Sequence, residues 1–523
     1  MSPTEQEVMP PSTRILDTPT ALFMLAALIF LYSFIFIPPF LPLEPAPDTL
    51  IYLAAGQRMY QGEMIYRDFF EFVTPGTALV HFFLFKLFGL RLWIPNLESL
   101  LLGAGLVWLG VVIAKKLMRP SLALLPSAIF LVGVGEILRD PTHHWYSLLI
   151  VTAAIAVLME RRTPARIAAA GFLCGLSACF TQSRGLAAAA GFGVFLWWES
   201  RRRQEGWREL LKKEAWLVGG FLATLIAVNG YFIWQAGPAR FLWCTVVFVL
   251  EYYPKEASVN TLQVVTESFP RLVPLRYFLR WDIEEWLFLY AVTPFILILF
   301  FARYWRESGK KPVEFWERPM LVAIVGSFML LSVAPAPSPD RMAFSELPAL
   351  ILLAWLIDSP RKLARALAAT FAVGVLLVAL HAVARRRPIP AGILATPQGK
   401  IAITDPDFYQ EYAWIQQHTH PSEYYYQASL PDQYFVLNLR NPTPLPFVTN
   451  CGYTPSEQVA EVIRGLEQHR VRYIFWSSPD LDIIQKWEDP SEDHLGPLRD
   501  YIHSHYSVVK VFADSGEIWE RWN

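Results

Sequence analysis

The sequence predicts a polytopic α-helical membrane protein of about eleven transmembrane helices carrying a small C-terminal α/β domain. Three observations lead there. Hydrophobic residues make up 54% of the 523 residues and charged ones only 17%, against roughly 25% in soluble domains. Long apolar runs recur from residue 19 to residue 384. After residue 388 the chain changes character: polar and apolar residues mix, and no run is long enough to span.

Residues 1–18 are polar and contain proline; they read as a short cytoplasmic tail. Apolar runs follow at 19–43, 92–114, 120–137, 145–159, 167–180, 186–198, 215–234, 286–302, 320–335, 346–357 and 366–384. Several fall short of the ~20 residues a straight span needs, so their helices must draw in flanking residues. The first has no small-residue cleavage site behind it and reads as a retained span. The run 75–90 is short and carries Lys86; it reads as a helix lying along the interface.

Lys and Arg set the orientation. With the N-terminus in the cytoplasm, alternate loops hold Lys115, Lys116 and Arg119; Arg161, Arg162 and Arg166; and Arg201 to Arg203 with Arg208, Lys212 and Lys213. They continue with Arg303, Arg306, Lys310, Lys311 and Arg318, then Arg361, Lys362 and Arg365. If 75–90 crossed, the first two clusters would fall opposite the last three. Arg385 to Arg387 break the rule. The transmembrane domain covers 19–388, and its outer loops are 44–91, 138–145, 235–285 and 336–345, with a tight turn at Thr181–Gly185. Loop 235–285 is rich in aromatics and prolines and long enough to cover part of the outer face.

Residues 389–523 read as the extracytoplasmic α/β domain. Asp405-Pro406 opens a helix at FYQEYAWIQQH, and Thr454-Pro455-Ser456-Glu457 has the form of a capping box with Pro at the first helical position. Val471–Trp476 reads as a buried strand. Ser507–Ala513 and Glu517–Trp522 read as a hairpin about Asp514-Ser515-Gly516. Cys174 and Cys179 sit in an apolar run as packing residues. Cys244 and Cys451 would form a disulfide only if both lie outside the membrane.

The chain lacks a P-loop, a dinucleotide-binding glycine fingerprint, a zinc-ligand spacing and a nucleophile elbow. Chemistry is therefore expected at the outer face. Glu44, Asp48, Glu63, Asp68 and Glu71 gather where the chain first leaves the bilayer, and carboxylates against a membrane surface are costly to desolvate. Asp48 stands near the start of an interfacial helix, DTLIYLAAGQRMYQGE, as its cap or as a general base. Asp68 and Glu71 would share a metal or orient one another, unless Arg67 simply pairs locally. Arg139-Asp140-Pro141-Thr142-His143-His144-Trp145 puts an acid and two base-capable rings where a span surfaces. Gln182 and Arg184 in the Thr181 turn, and Arg341 in Pro339-Asp340-Arg341, place arginines at a depth where they meet phosphates, of headgroups or of a substrate.

These segments together resemble the polytopic GT-C glycosyltransferases, most of all the bacterial branch related to protein mannosyltransferases and lipid A aminoarabinose transferases. The carriers are one span, then Asp48, then YLAAGQRMYQGEMIYRDFFEFVTPG and an interfacial helix ending LFG. ILRDPTHHWYSLL resembles the second outer loop, CFTQSRG the polar turn, and DRMAFSELPALILLAWL the late outer loop. The resemblance implies a GT-C-like fold over residues 15–385 and glycosyl transfer from a polyprenyl-phosphate sugar at the outer leaflet. Asp48 would be the catalytic acid of the first loop. Arg184 and Arg341 would hold the lipid phosphate, while Asp140, His143, His144, Gln182, Asp68 and Glu71 would bind substrate. Many relatives have two adjacent acids where this chain has Asp48-Thr49, so the metal requirement stays open. No cofactor is assigned; a divalent cation on Asp48, Asp68 and Glu71 is the one candidate.

The expected location is the bacterial inner membrane, and the expected partners are the donor, membrane lipids and a lipid, glycan or protein acceptor. No nucleic-acid partner is expected. The rival readings are a transporter or flippase for lipid-linked sugars and a non-catalytic assembly protein. A transporter calls for charges at mid-membrane and repeated halves; the charges here cluster at span ends, and no repeat is visible.

Overall fold

The computed structural model describes residues 16–135, 137–268, 288–358, 389–484 and 489–522, with a few helical positions between 366 and 381. The expected tail up to residue 15, loop residues 269–285, most of the run 366–384, and the basic residues Arg361, Lys362, Arg365 and Arg385 to Arg387 lie outside the described residues.

Helix α1, Thr18–Ile35, begins where the Asp17 carboxylate accepts the Thr20 amide at 3.0 Å. The apolar run 19–43 is not one helix, as expected from sequence, because Pro38 and Pro39 offer no N–H to continue it. The chain instead turns back, pairing β1 (Phe36–Ile37) with β2 (Leu41–Pro42). It then enters α2, Pro47–Tyr60, and α3, Gly76–Phe88. The bundle continues with α4 (Ile94–Lys115), α5 (Leu125–Val134), α6 (His143–Leu158), α7 (Pro164–Ala178), α8 (Gln182–Arg202) and α9 (Trp207–Ala236). After a winding segment come α10 (Thr293–Glu307), α11 (Val313–Val333) and α12 (Glu346–Ile357).

Among the described residues, five helices are long and apolar enough to cross a membrane: α1, α4, α9, Phe288–Glu307 and α11. Helices α3, α5, α6, α7 and α12 are apolar but shorter. One apolar core joins α1, α4 to α8 and α10 to α12. Small residues set the closest approach, between α7 and α9: a Cβ at Gly171 would lie 2.0 Å from the Leu217 carbonyl oxygen.

The basic loops meet at one end of this bundle. Arg162 and Lys213 reach Glu199, Arg203 reaches Glu317, Lys115 reaches Asp17, and Arg318 donates to the Lys116 and Met159 carbonyls. Helix α3 stays at the opposite end throughout its length. Its Gly76 amide donates to the Cys179 carbonyl at 2.8 Å, and its far end stacks Phe85 on Phe435.

The C-terminal residues form a hairpin of β3 (Gly392–Thr396) and β4 (Gly399–Ile403), then a four-stranded sheet. Strands β5 (Tyr426–Gln427), β6 (Tyr473–Ser477), β7 (Tyr506–Val511) and β8 (Gly516–Arg521) lie in the order β5-β6-β8-β7, parallel only between β5 and β6. Helices α13 (Pro406–His418), α14 (Ser456–Gln468) and α15 (Gly496–His505) accompany them. Asp405 caps α13 as its sequence suggests. Thr454 does not make the expected capping box: its hydroxyl accepts the Thr449 amide, and Pro455 precedes the helix at the cap position rather than inside it. Cys244 and Cys451 are buried and not joined in a disulfide. Leu50 and Leu53 of α2 and Phe85 of α3 share a core with Ile401, Tyr425 and Phe435. Helix α2 is thus clamped between the bundle and the C-terminal sheet region.

Candidate active site

Helix α2 starts with Pro47, behind an Ala46 whose side chain has nothing to accept the amides of the first turn. Asp140, from the loop before α6, fills that place: its Oδ1 accepts the Thr49 amide at 3.0 Å and the Thr49 hydroxyl. Asp48 is therefore not the cap of its own helix. Its side chain is exposed to water, yet protein surrounds it closely enough that burial holds its carboxyl above the usual range, against the pull of Arg341. It faces a recess, not open surface.

Asp140 and Asp340 share that recess. Burial and the neighbouring Asp48 charge raise both carboxyls. The counter-charge is Arg341. Its Nη1 donates to the Val259 and Ala336 carbonyls at 3.0 and 3.1 Å, its Nη2 to Tyr253 Oη and Asn260 Oδ1 at 2.5 and 2.9 Å. These acceptors are all neutral. The guanidinium is held in place, and among the described residues the acids of the recess answer its charge through space.

A stack of rings leads from there into the bundle. Tyr52 meets His143 edge-on at 5.0 Å, His143 lies 3.9 Å from His144, and His144 lies 4.6 Å from Phe344. Arg184 sits over Phe344 at 4.9 Å. Arg184 is only 1% exposed, with Nη1 donating to the His144 carbonyl and Ser147 Oγ, both at 2.8 Å. The structure therefore makes Arg184 a buried brace within the field of Arg341 rather than an open hand for a phosphate. Gln182 donates to the Phe72 carbonyl at 2.8 Å, and Thr74 to the Ala178 carbonyl at 2.7 Å. The turn before α8 is in this way stitched to the loop before α3.

Asp68 and Glu71 do not come together. Asp68 is exposed, pairs with Arg67 at 2.7 Å, and is held below the usual carboxylate range by that guanidinium. It lines a separate groove with Glu63, Tyr424 and Arg464. Glu71 is buried, accepting the Phe72 and Val73 amides at 3.0 and 3.2 Å, and burial pushes its carboxyl up to about 7. The spacing i, i+3 implied a shared face only for a helix, and residues 61–75 are not helical. The expected metal set of Asp48, Asp68 and Glu71 is accordingly not assembled. Among the described residues no three of His, Cys, Asp and Glu are placed to hold a metal ion.

Four residues of the recess escaped the sequence reading: Thr49, Tyr253, Asn260 and Asp340. Asp340 adjoins Arg341, and Tyr253 lies in the aromatic loop, so their segments were marked though the side chains were not. Beside Pro47 a cavity of about 420 Å³ opens between the C-terminal region and Glu256–Ser258.

No protein-family profile matches the sequence, and no curated protein matches it. The structure, however, is similar to that of ArnT from Cupriavidus metallidurans. Against ArnT bound to undecaprenyl phosphate the TM-score is 0.59 at 13% identity, over 96% of this chain and 97% of that one. Against ArnT in the apo state the TM-score is 0.57 at 14% identity, with the same coverage. The archaeal oligosaccharyltransferase AglB from Archaeoglobus fulgidus, in complex with an inhibitory peptide and a dolichol-phosphate, matches at a TM-score of 0.48 and 10% identity, over 88% of this chain and 69% of that one. At such identities the ArnT likeness establishes the fold alone: this chain shares the fold of ArnT.

Proposed function

We propose that this chain is a multi-pass membrane glycosyltransferase that moves a sugar from a polyprenyl-phosphate-linked donor to an acceptor hydroxyl at the outer face of the bacterial inner membrane. The observation that carries the reading is the pairing in one recess of a water-accessible Asp48 with an Arg341 that, among the described residues, meets no carboxylate directly. Undecaprenyl phosphate bound to ArnT, whose fold this chain shares, supports a lipid-phosphate donor.

The chemistry balances as a single displacement. The acceptor oxygen bonds to the anomeric carbon while the bond from that carbon to the donor phosphate oxygen breaks. The acceptor proton passes to the Asp48 carboxylate, and the polyprenyl phosphate leaves with the bonding pair. Arg341 faces the charge that gathers on the leaving phosphate, where a pre-positioned cation costs no reorganisation. Burial raises the Asp48 carboxyl above its usual range, against the pull of Arg341, which makes its carboxylate a stronger base. Asp140 positions the turn that carries Asp48. His143 and His144 line the approach through the ring stack, and Arg184 and Gln182 brace it from below. No step is routed through a metal ion.

The test is to offer radiolabelled polyprenyl-phosphate sugars to the protein in nanodiscs with membrane extracts as acceptor. Protein-dependent release of free polyprenyl phosphate, with label in a lipid, glycan or protein fraction, supports transfer. Movement of intact donor across the bilayer with its sugar still attached contradicts it and favours a flippase.

A further inference from the structure

The 420 Å³ cavity beside Pro47 falls within the ~300–1,000 Å³ range of small-molecule sites. Its described lining is one-sided in charge: Glu256, Glu411, Asp432, Asp480 and Asp514, with no lysine or arginine. The nearby Lys255 is taken up by Glu492 at 2.7 Å.

An acidic lining alone says little, but Glu411 says more. It is 2% exposed, and its Oε1 has no hydrogen-bond donor. Among the described residues its other oxygen accepts from the Gln433 amide, at a long 3.4 Å. Across from it stands a second carboxylate, Asp514, within hydrogen-bonding reach. Burial and Asp514 push Glu411 up to about 10, and burial pushes Asp432 up to about 6 and Glu44 to about 8. A buried carboxyl facing another, without a donor between them, holds a shared proton, which is released when a cation takes its place.

Location narrows the ligand. The lining comes from the C-terminal region and from Glu256–Ser258, and it touches the first helical residue before Asp48. A lipid-linked donor must approach from the bundle, so this cavity lies on the acceptor's side. Ser429, Asn450 and Ser477 add oxygens suited to accept from sugar hydroxyls, while the Asn450 amide and the Ser477 hydroxyl donate to the Ile483 carbonyl and to Asp480.

We infer that the cavity between the C-terminal sheet region and the start of α2 is a subsite for an amine-bearing saccharide acceptor, whose ammonium donates to Glu411 and Asp514. A phosphorylated acceptor is disfavoured there, since its charge would meet an acidic lining with no lysine or arginine among the described residues. The role as an acceptor site rests on the proposed transfer reaction; the binding of the amine does not.

The experiment is calorimetric binding of diglucosamine to the full-length protein in nanodiscs, without donor, beside its N-acetylated form and glucosamine 6-phosphate. The expected result is binding of diglucosamine at least tenfold tighter than either, weakened tenfold or more in Asp514→Asn and in Glu411→Gln. Melting profiles confirm that each variant is folded; if Glu411→Gln is not, Asp514→Asn decides. Equal binding of the amine and acetylated forms, no binding of diglucosamine, or wild-type affinity in Asp514→Asn would overturn the subsite. Because no turnover is read, failure here leaves the transferase reading standing, and loss of transfer leaves this one standing.

Discussion

Asp140 Oδ1 accepts the backbone amide of Thr49 at 3.0 Å, across 91 residues of sequence. A carboxylate from one outer loop thereby caps the helix of another, and the residue it fixes is the neighbour of Asp48. The second acid beside Asp48 comes from the loop before α6 instead of from the adjacent position, which Thr49 occupies as the donor.

This contact predicts a split between two substitutions. Asp140→Asn keeps an acceptor oxygen for Thr49 and should hold stability near wild type. Asp140→Ala leaves a helix-start amide without its cap, at a cost of about 1 kcal/mol, and should lower the melting temperature and cut transfer at least tenfold. Thermal unfolding and initial rates of both variants check this.

The charges around Asp48 predict opposite shifts in the pH–rate profile. Arg341 favours the Asp48 carboxylate, so Arg341→Gln should raise its pKa and move the acidic limb of activity up, by as much as about one pH unit. Removing the Asp140 charge in Asp140→Asn should move that limb down. Arg341→Lys keeps the charge while losing the fork to Tyr253 and Asn260, and should leave the limb in place. Rates from pH 5 to 9 read all three.

Glu71 carries a pH dependence of stability. Its folded-state carboxyl stands at about 7 against 4.5 for the ordinary group. The folded state therefore holds a proton that the unfolded chain has released, and the stabilisation present below pH 4.5 is lost as pH rises toward 7. Glu71→Gln keeps an oxygen for the Phe72 and Val73 amides without the charge. It should flatten that decline and stabilise the protein above pH 7, by up to about 3 kcal/mol. Melting temperatures at pH 5 and pH 8 for both proteins are the check.

Gly76 predicts a steric effect. A Cβ there would lie 2.5 Å from the Cys179 carbonyl oxygen and 2.9 Å from Phe180 Cγ. Gly76→Ala must push α3 off the turn before α8, at about 1–3 kcal/mol. Both melting temperature and transfer should fall, whereas Gly62→Ala, at a position with open space but positive φ, should mainly affect stability.

Much of this was readable from residues. The described apolar runs became helices because a chain in lipid must satisfy its backbone hydrogen bonds within itself, and the alternation of Lys and Arg matches the gathering of the described basic loops at one bundle end. Asp48 stands at the start of a helix, with Asp140 and Arg341 near it, as their places at span ends suggest. What was not readable depends on backbone direction and on distant partners. Pro38-Pro39 ended α1 early, since a proline pair cannot extend a helical ladder. Asp68 and Glu71 diverged because the chain between them is not helical. Arg184 looked open to a phosphate, and only the packing of Phe344 and the His144 carbonyl shows it closed in. The cap on α2 was invisible because its donor and acceptor lie on different loops.

The most direct measurement is single-turnover transfer from a radiolabelled polyprenyl-phosphate sugar by wild type and Asp48→Asn in matched nanodiscs, with donor binding measured in parallel. The account predicts that Asp48→Asn binds donor as wild type does and transfers ~10²–10⁴-fold more slowly, as loss of a general base requires. Equal transfer by the two proteins would contradict it and remove Asp48 from the chemistry.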